Sequence, residues 1–386
     1  MIGFQYYNPA KIVFGENSVA GLSRLLAGYN VKSLLLVYSG DFIKTLGIYD
    51  AITDAVKELG IRFSENGNVV PNPSIELVRE LVEQGKKDEV DFVLAVGGGS
   101  SIDTAKAVSI GIPYEGDVWD FFSKGAVPEK VLNVGVIATT ASSGSETSNA
   151  AILSSGDRKL GFEDDRIIPK FAIIDPAYTV GLPVYQTNVG IADVLSHLLE
   201  RYFSDEKNSD TTDYLIEGAI RALLVNADRL IKDPRNINAR AEVSWLAVVA
   251  HNNFLDAGRS ADWGSHRIEH ELSAQYDITH GEGMAVVFTA WTKYMAEVKP
   301  WRLALLASRV FGADPYDRDE KERALYLSDE LQRFFKKLGL KTTLTELGIG
   351  DERFELMAEH ATAGGSVGHY VKLDKEKFIE ILKTAL

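Results

Sequence analysis

The chain has no cysteine. That absence excludes disulfide frameworks, thiolate nucleophiles and cysteine-ligated zinc, so any metal must be held by histidine and carboxylate. Positive charge is also in short supply: 41 Lys and Arg stand against 55 Asp and Glu, a formal net charge of −14. Phosphate backbones and anionic lipid surfaces both need a basic partner, so a nucleic-acid or membrane-surface binder is disfavoured. No apolar run reaches the roughly 18 uncharged residues of a membrane span. The opening MIGFQYYNPAKIVFGENS lacks the basic stretch and apolar run of a secretory signal. These absences lead to the expectation of a cytoplasmic protein.

What is present is ordinary globular material: 386 residues, 45% hydrophobic and 25% charged. That length suggests about two domains. In the first half, short apolar runs alternate with amphipathic stretches. The run from Lys32 to Tyr38 (KSLLLVY) and the run from Asp91 to Val96 (DFVLAV) read as buried strands. Arg62 to Asn68 reads as a weaker strand, and Val131 to Ala138 and Phe171 to Ile174 as two more. Helical spacing fills Ile48 to Glu58 and residues 75–87. Strands alternating with helices imply a parallel sheet of βαβ units. From about Thr187 onward the periodicity is helical, after punctuation by Gly181 and Pro183. The expected fold is therefore an α/β, Rossmann-like dinucleotide-binding domain over residues 1–180, followed by an all-helical, metal-binding and catalytic domain over 181–386.

Two polar loops follow strands. DFVLAVGGGSSIDTAKA runs from strand through Gly97, Gly98 and Gly99 into a helix expected to begin at about Ser100. Glycines let a backbone turn sharply and approach a phosphate, and a helix start offers free N–H groups with the positive end of the dipole. The Rossmann fingerprint is not met, because its third glycine position holds Ile102. A tight βα turn without a ligand is the alternative reading. The second loop, Thr139 to Ser148 (TTASSGSETS), is rich in hydroxyls that suit either helix capping or ribose and phosphate contacts. Loops at the carboxyl ends of parallel strands tend to share one crevice.

The helical half carries a possible metal constellation. Asp193 and His197 lie four apart, as do His266 and His270, and His280 follows. Spacing of four puts both members of a pair on one helix face. Satisfied core or surface histidines are the competing explanation. HExxH is absent, so the zincin template does not apply.

These motifs resemble the iron-containing alcohol dehydrogenase family: GGGSSIDTAK at 97–106, TTASSGSE at 139–146, DPAYTVGLP at 175–183, GIADVLSH at 190–197 and HRIEHELSAQYDITHGEGMAV at 266–286. The opening NPAKIVFGENS and the block AGRSADWGSHRIEHELSAQYD look most like the butanol dehydrogenase and broad-range aldehyde reductase branch. The resemblance runs over essentially the whole chain. It implies one divalent metal, Fe(II) first and Zn(II) as the alternative, held by Asp193, His197, His266 and His280. It implies NAD(P)(H) as cofactor, with pyrophosphate contacts at Gly97, Gly98, Gly99 and Ser100 and with Asp103 nearby. Thr139, Thr140, Ser143, Ser148 and Lys159 match further cofactor positions. His270 matches a position near the metal often proposed for proton relay. A homodimer or larger homo-oligomer is implied as well.

The implied reaction is interconversion of primary, butanol-like alcohols and aldehydes by hydride transfer. A glycerol-type polyol dehydrogenase is the nearest alternative. A dehydroquinate-synthase-like lyase would need several basic residues around the metal, where the sequence offers chiefly Arg259 and Arg267. A binding protein without turnover is the remaining reading. Two departures from the branch stand out. Ser142-Ser143 replaces a usual Gly-Thr pair, and the usual GGGS loop after the first buried strand reads Ser39-Gly40-Asp41-Phe42. A carboxylate at Asp41 repels a 2′-phosphate and accepts ribose hydroxyls, so the expectation leans to NAD(H).

Overall fold

The computed structural model describes residues 1–386. Up to Ile174 the elements run β1 (Lys11–Phe14), α1 (Leu22–Gly28), β2 (Ser33–Tyr38), α2 (Phe42–Thr45), α3 (Ile48–Leu59), β3 (Arg62–Asn66), α4 (Ile75–Lys87), β4 (Phe92–Gly97), α5 (Gly99–Gly111), α6 (Trp119–Ser123), β5 (Asn133–Ala138), β6 (Ala150–Ser155), β7 (Arg158–Glu163) and β8 (Phe171–Ile174). Every residue of β2 and β4 is buried. Strands covered on both faces read as continuous apolar runs and belong in parallel sheets flanked by helices. The six-stranded sheet has the order β1-β8-β5-β4-β2-β3, with every neighbouring pair parallel.

Alternate residues of the central strands feed two separate cores, as the two-residue period of a strand requires. Leu35, Val37, Val93 and Ala95 pack with Ile75 and Val78 of α4 and with Ile102 and Val108 of α5. Leu34, Leu36, Leu94 and Val96 pack on the other face with Leu22 and Leu26 of α1 and with Ile48 and Ile52 of α3. From β2 the chain moves to one edge through β3, then returns to the opposite side of β2 with β4. The reversal falls between β2 and β4. In an open parallel sheet the crevice beyond the carboxyl ends at such a reversal is the usual ligand site. The loops leaving β2 and β4 are the Ser39–Asp41 loop and the triple glycine.

Three strands were not anticipated. β1 has four residues, exposed at both ends, on the sheet's edge. β6 and β7 form an antiparallel hairpin joined by Gly156-Asp157, with Gly156 at φ +58°.

The later helices are α7 (Val184–Tyr202), α8 (Asp210–Lys232), α9 (Ile237–His251), α10 (Gly264–Tyr276), α11 (His280–Val298), α12 (Trp301–Val310), α13 (Glu320–Lys337), α14 (Phe354–Thr362) and α15 (Lys375–Thr384). The chain forms two compact units, each discontinuous. The helical one comprises Met1–Tyr6, Pro183–Pro234 and Asn253–Leu386; the sheet-bearing one comprises Tyr7–Leu182 and Arg235–Asn252. This differs from an uninterrupted division into 1–180 and 181–386, because α9 packs with the sheet unit. Arg240 donates to the Thr179 carbonyl, His251 Nδ1 lies 2.6 Å from the Ser143 carbonyl, and Val248 enters the core beneath α5. At the other end of the chain, Ile2 N donates to Gly258 O at 3.0 Å within the helical unit. No helix is long and apolar enough to cross a membrane.

Candidate functional site

In the helical unit, the face of α7 that carries Asp193 and His197 also carries Glu200, since offsets of four and seven keep residues on one side of a helix. All three are buried. His266, Glu269, His270 and Ser273 repeat that pattern on α10, and His280 opens α11. Possible ligand atoms of Asp193, His266 and His280 lie within 4.8 Å of one another. His197 Nδ1 is 3.4 Å from Asp193 Oδ1, and the His197 ring is 4.9 Å from that of His266. The four residues expected to share a metal therefore come together. His270 joins from the other side: Glu269, His270 and His280 form a second potential ligand group, and the His270 ring is 5.8 Å from that of His280.

The donor set fits a cation. His266 Nδ1 lies 2.7 Å from Glu200 Oε1, which leaves Nε2 buried with no hydrogen-bond partner. His280 places Nδ1 against Glu269 and Nε2 3.6 Å from Asp193 Oδ1, beyond hydrogen-bond reach. Two histidines with Nδ1 anchored on buried carboxylates, beside a third carboxylate, form the carboxylate–histidine arrangement typical of metal sites. Glu200 is a hub: beyond His266 Nδ1, it accepts from Trp263 N at 2.7 Å, Ser265 Oγ at 2.5 Å and His266 N at 2.9 Å. Glu269 also takes the Ser273 hydroxyl. Close packing of α11 depends on Gly283, where a Cβ would come within 2.8 Å of Glu269 Oε1. Neither Glu200 nor Glu269 was expected from sequence. Their only signal was position, seven after Asp193 and three after His266.

In the sheet unit the triple glycine is required by close approach. A Cβ on Gly98 would sit 2.6 Å from Thr140 Oγ1, and one on Gly99 would sit 2.7 Å from Ser143 Oγ. Gly97 adopts φ +150°. α5 starts at Gly99 with Gly98 as its cap residue, one position before the expected start. The loop after β5 is thus pressed against the start of α5, joined by Thr139 N to Gly97 O at 3.0 Å. Ser101 Oγ and Thr139 Oγ1 are buried hydroxyls with no partner at this junction. The residues fit a phosphate-bearing ligand: free helix-start N–H groups, no side chains in the way, and hydroxyls to spare.

Other expected cofactor residues are engaged inside the protein. Asp103 accepts from Ser145 Oγ at 2.5 Å and Ile152 N at 3.1 Å. Ser148 Oγ accepts from Ala150 N at 3.2 Å and Lys106 Nζ at 3.4 Å. Lys159 Nζ donates to Asn72 Oδ1 at 3.1 Å. Asp41 sits at the start of α2 with its side chain 84% exposed and takes Lys44 Nζ at 2.7 Å.

Beneath this loop lies a buried charge cluster that the sequence did not announce. Lys106 is fully buried and donates to Ser145 Oγ, Ser148 O and Ala150 O at 2.8–2.9 Å. Burial pulls its ammonium down to about 8, against the pull of Asp103 and Glu146. Burial pushes the Glu146 carboxyl up from 4.5 to about 7, with backbone hydrogen bonding and Lys106 opposing. A raised acid holds its proton in the fold while the unfolded chain releases it, so stability falls as pH rises from about 4.5 to about 7 and stays reduced above. A rise of that size corresponds to about 3 kcal/mol, and the lost attraction for Lys106 offsets part of the gain on neutralisation. Glu146→Gln is therefore expected to stabilise the chain by about 2 kcal/mol at pH 8 and to change little at pH 4. Urea midpoints at the two pH values check it; an equal shift at both would mean that ionisation of Glu146 is not the cause.

Comparison with known proteins gives this geometry a lineage. Residues 9–176 match the family "Iron-containing alcohol dehydrogenase", and residues 187–386 match "Fe-containing alcohol dehydrogenase family, C-terminal". The probable NADH-dependent butanol dehydrogenase 1 of Bacillus subtilis is 36% identical over 388 residues, covering 100% of both chains. The NADPH-dependent aldehyde reductase YqhD of Escherichia coli is 30% identical, covering 98% of this chain and 99% of its own. The crystal structure of NADH-dependent butanol dehydrogenase A from Thermotoga maritima superposes with a TM-score of 0.94 at 36% identity, over 99% of this chain and 98% of that one. With both halves matched and full-length relatives above 30% identity, the chain belongs to the iron-containing alcohol dehydrogenase family.

Proposed function

We propose that this enzyme interconverts short primary alcohols and aldehydes by hydride transfer to and from a nicotinamide dinucleotide, with one divalent metal, Fe(II) first and Zn(II) second, held by Asp193, His197, His266 and His280. The observation that carries the ligand assignment is the pair of imidazoles, His266 and His280, each with Nδ1 on a buried glutamate and each with a possible ligand atom within 4.8 Å of Asp193. When bound, the ion supplies Lewis-acid polarisation of the substrate oxygen. Glu200 and Glu269 fix the ring orientation and raise the basicity of the two histidines. His270, buried beside them, is placed to take the alcohol proton on a ring nitrogen during oxidation and return it during reduction.

The sheet unit binds the dinucleotide. Backbone N–H groups of the Gly97 to Ser100 segment, where α5 starts, receive the pyrophosphate, and the glycines keep the approach clear. Thr139, Thr140 and Ser143 supply hydroxyls beside it. Asp103 and Ser148 act through their internal bonds by holding the 145–152 segment in place, and Lys159 steadies the β6–β7 hairpin.

Relatives of 33–36% identity bear the names NADH-dependent butanol dehydrogenase, one of 30% is named an NADPH-dependent aldehyde reductase, and Asp41 favours the first kind of cofactor here. Exposed charges are weakened by solvent screening, and Lys44 already draws on Asp41. Asp41→Gly is expected to raise kcat/KM for NADPH relative to NADH by up to about fivefold. A parent that already prefers NADPH, with no change in the variant, would remove Asp41 from ribose recognition.

The lyase alternative loses one of its two basic residues: Arg259 is buried and committed to Asp213, Ser209 and the Arg201 carbonyl. Steady-state NAD(P)H oxidation with butyraldehyde, run beside alcohol and polyol oxidation, tests the reaction. Glycerol outperforming every short aliphatic alcohol in kcat/KM would overturn it in favour of the polyol reading. We further place the enzyme in the cytoplasm as a homodimer or larger assembly, a state supported by exposed Met1, Ile2, Phe4, Tyr6 and Tyr7 and tested by sedimentation.

A further inference from the structure

Trp263 occupies the residue before α10 in the left-handed region, with φ +61° and ψ +6°. That backbone is strained for a bulky side chain and persists only where its surroundings over-determine it. The surroundings here are the hub on Glu200. The turn at Trp263 brings its own N–H to Glu200 Oε2 at 2.7 Å and delivers Ser265 Oγ, His266 N and His266 Nδ1 to Oε1. Asp262 Oδ2 receives Gly264 N at 3.1 Å and closes the turn. All of this is backbone work, and glycine would do it without strain. The indole needs a separate explanation.

Its contacts supply one. The Arg201 guanidinium lies 4.8 Å from the ring centroid. The His266 ring is 5.1 Å away and the His197 ring 6.1 Å away, both edge-on. The flanking residues Ala261, Asp262, Gly264, Ser265 and His266 are buried, yet Trp263 itself is only half-buried. A large, partly solvent-accessible apolar ring therefore stands 5.1 and 6.1 Å from two of the imidazoles assigned to the metal. An open aromatic edge rewards contact with apolar carbon and leaves hydroxyl groups without partners.

We propose that Trp263 is a specificity-determining residue: its indole is the apolar wall along which the substrate's carbon chain lies, and it limits the length and branching of that chain. The inference rests on the assignment of His197 and His266 as metal ligands. It gives a use to an aromatic side chain at a position whose backbone favours glycine, and it assigns the substrate class as unbranched aliphatic aldehydes and alcohols rather than polyols.

Trp263→Gly separates side chain from backbone, because glycine accepts the left-handed turn; Trp263→Phe keeps a smaller wall. The substrates are acetaldehyde, butyraldehyde, hexanal and 2-ethylbutyraldehyde. One methylene in an apolar pocket is worth about 10–200-fold. The ratio of kcat/KM for hexanal or 2-ethylbutyraldehyde to that for acetaldehyde is expected to rise on the order of tenfold in Trp263→Gly, with Trp263→Phe between. A second readout needs no turnover: chelator-stripped enzyme reloaded with Co(II) should show indole fluorescence quenching in the parent that is largely lost in Trp263→Phe. Unchanged substrate ratios in a Gly variant of full metal content would overturn the proposal, as would unchanged quenching in the Phe variant. Loss of metal in both variants would make Trp263 a structural prop and overturn it too. Failure of the underlying ligand assignment looks different: His266→Ala would then bind Co(II) and quench as the parent does.

Discussion

His266→Ala is expected to leave the chain folded, to remove most of its bound metal and to lower turnover at least 100-fold. Substitution of a residue that only orients a ligand typically costs about 10–100-fold in metal affinity or activity, and loss of a ligand costs more. His266 is the test of choice because its two nitrogens have separable tasks. Nδ1 is held by Glu200 at 2.7 Å, and Nε2 is buried without a hydrogen-bond partner. Alanine removes both, whereas Glu200→Gln keeps the ligand and weakens its orientation, so its losses should stay within the 10–100-fold range. His280→Ala should behave like His266→Ala. His270→Ala should keep the metal and lose turnover. Metal per chain, measured by plasma mass spectrometry beside circular dichroism, separates the cases. Full occupancy in both His266→Ala and His280→Ala would sink the assignment. Loss in His270→Ala as complete as in His280→Ala, with His266→Ala loaded, would move the ion to the Glu269, His270 and His280 group.

The contrast between His266 and Glu200 also marks what was legible before the structure. The four-residue offsets of Asp193 and His197 and of His266 and His270 made a metal one reading of the helical half, and the family resemblance singled out the four ligand candidates. A glutamate on a long helix is most often solvated, and nothing local distinguishes Glu200 or Glu269 from Glu242. Their burial is set by which helix packs on the same face, which is a tertiary fact. The central strands were plain because SLLLVY and FVLAVG are buried on both faces and carry no alternation to misread. β1 escaped because four residues at a sheet edge, exposed at both ends, present almost no pattern. α9 read correctly as a helix, but periodicity says which face is apolar and not which core receives it. Its place in the sheet unit follows from Arg240 and His251 reaching the carbonyls of Thr179 and Ser143. Asp103 and Ser148 illustrate a different limit. The family resemblance implies a place for them near the dinucleotide, and the structure adds that they bond to Ser145, Ile152, Ala150 and Lys106 within the chain.

Asp213→Ala is expected to destabilise the chain by about 3–5 kcal/mol, the cost of leaving buried charge without its partner. Asp213 lies on α8 and is the shared counter-ion of two buried arginines. Arg259 donates to Oδ1, and Arg302 donates to both oxygens, to Oδ2 at 2.7 Å. Arg302 also donates Nε to Tyr202 O at 2.9 Å and stacks 4.2 Å from the Tyr202 ring, at the end of the helix that carries Asp193 and His197. Burial alone would raise the Asp213 carboxyl, but Arg302 and Arg259 outweigh it and hold the group below its ordinary 3.8. A depressed carboxyl contributes stability that is fully present above the unfolded value, near 3.8, and is lost as pH falls through the folded one. The parent should therefore keep this contribution at pH 5 and above and lose it only in stronger acid, while Asp213→Ala should lack it throughout and lose less on acidification. Asp213→Asn keeps the shape without the charge and should fall between the two. Replacing Asp213, Arg259 and Arg302 together with apolar residues of similar volume should recover much of the loss, because no charge is then left buried alone. Urea unfolding at pH 7 and pH 3 decides the matter. A loss below about 1 kcal/mol in Asp213→Ala would mean that both guanidinium groups find other partners or water, since pairs of that strength are the exposed kind.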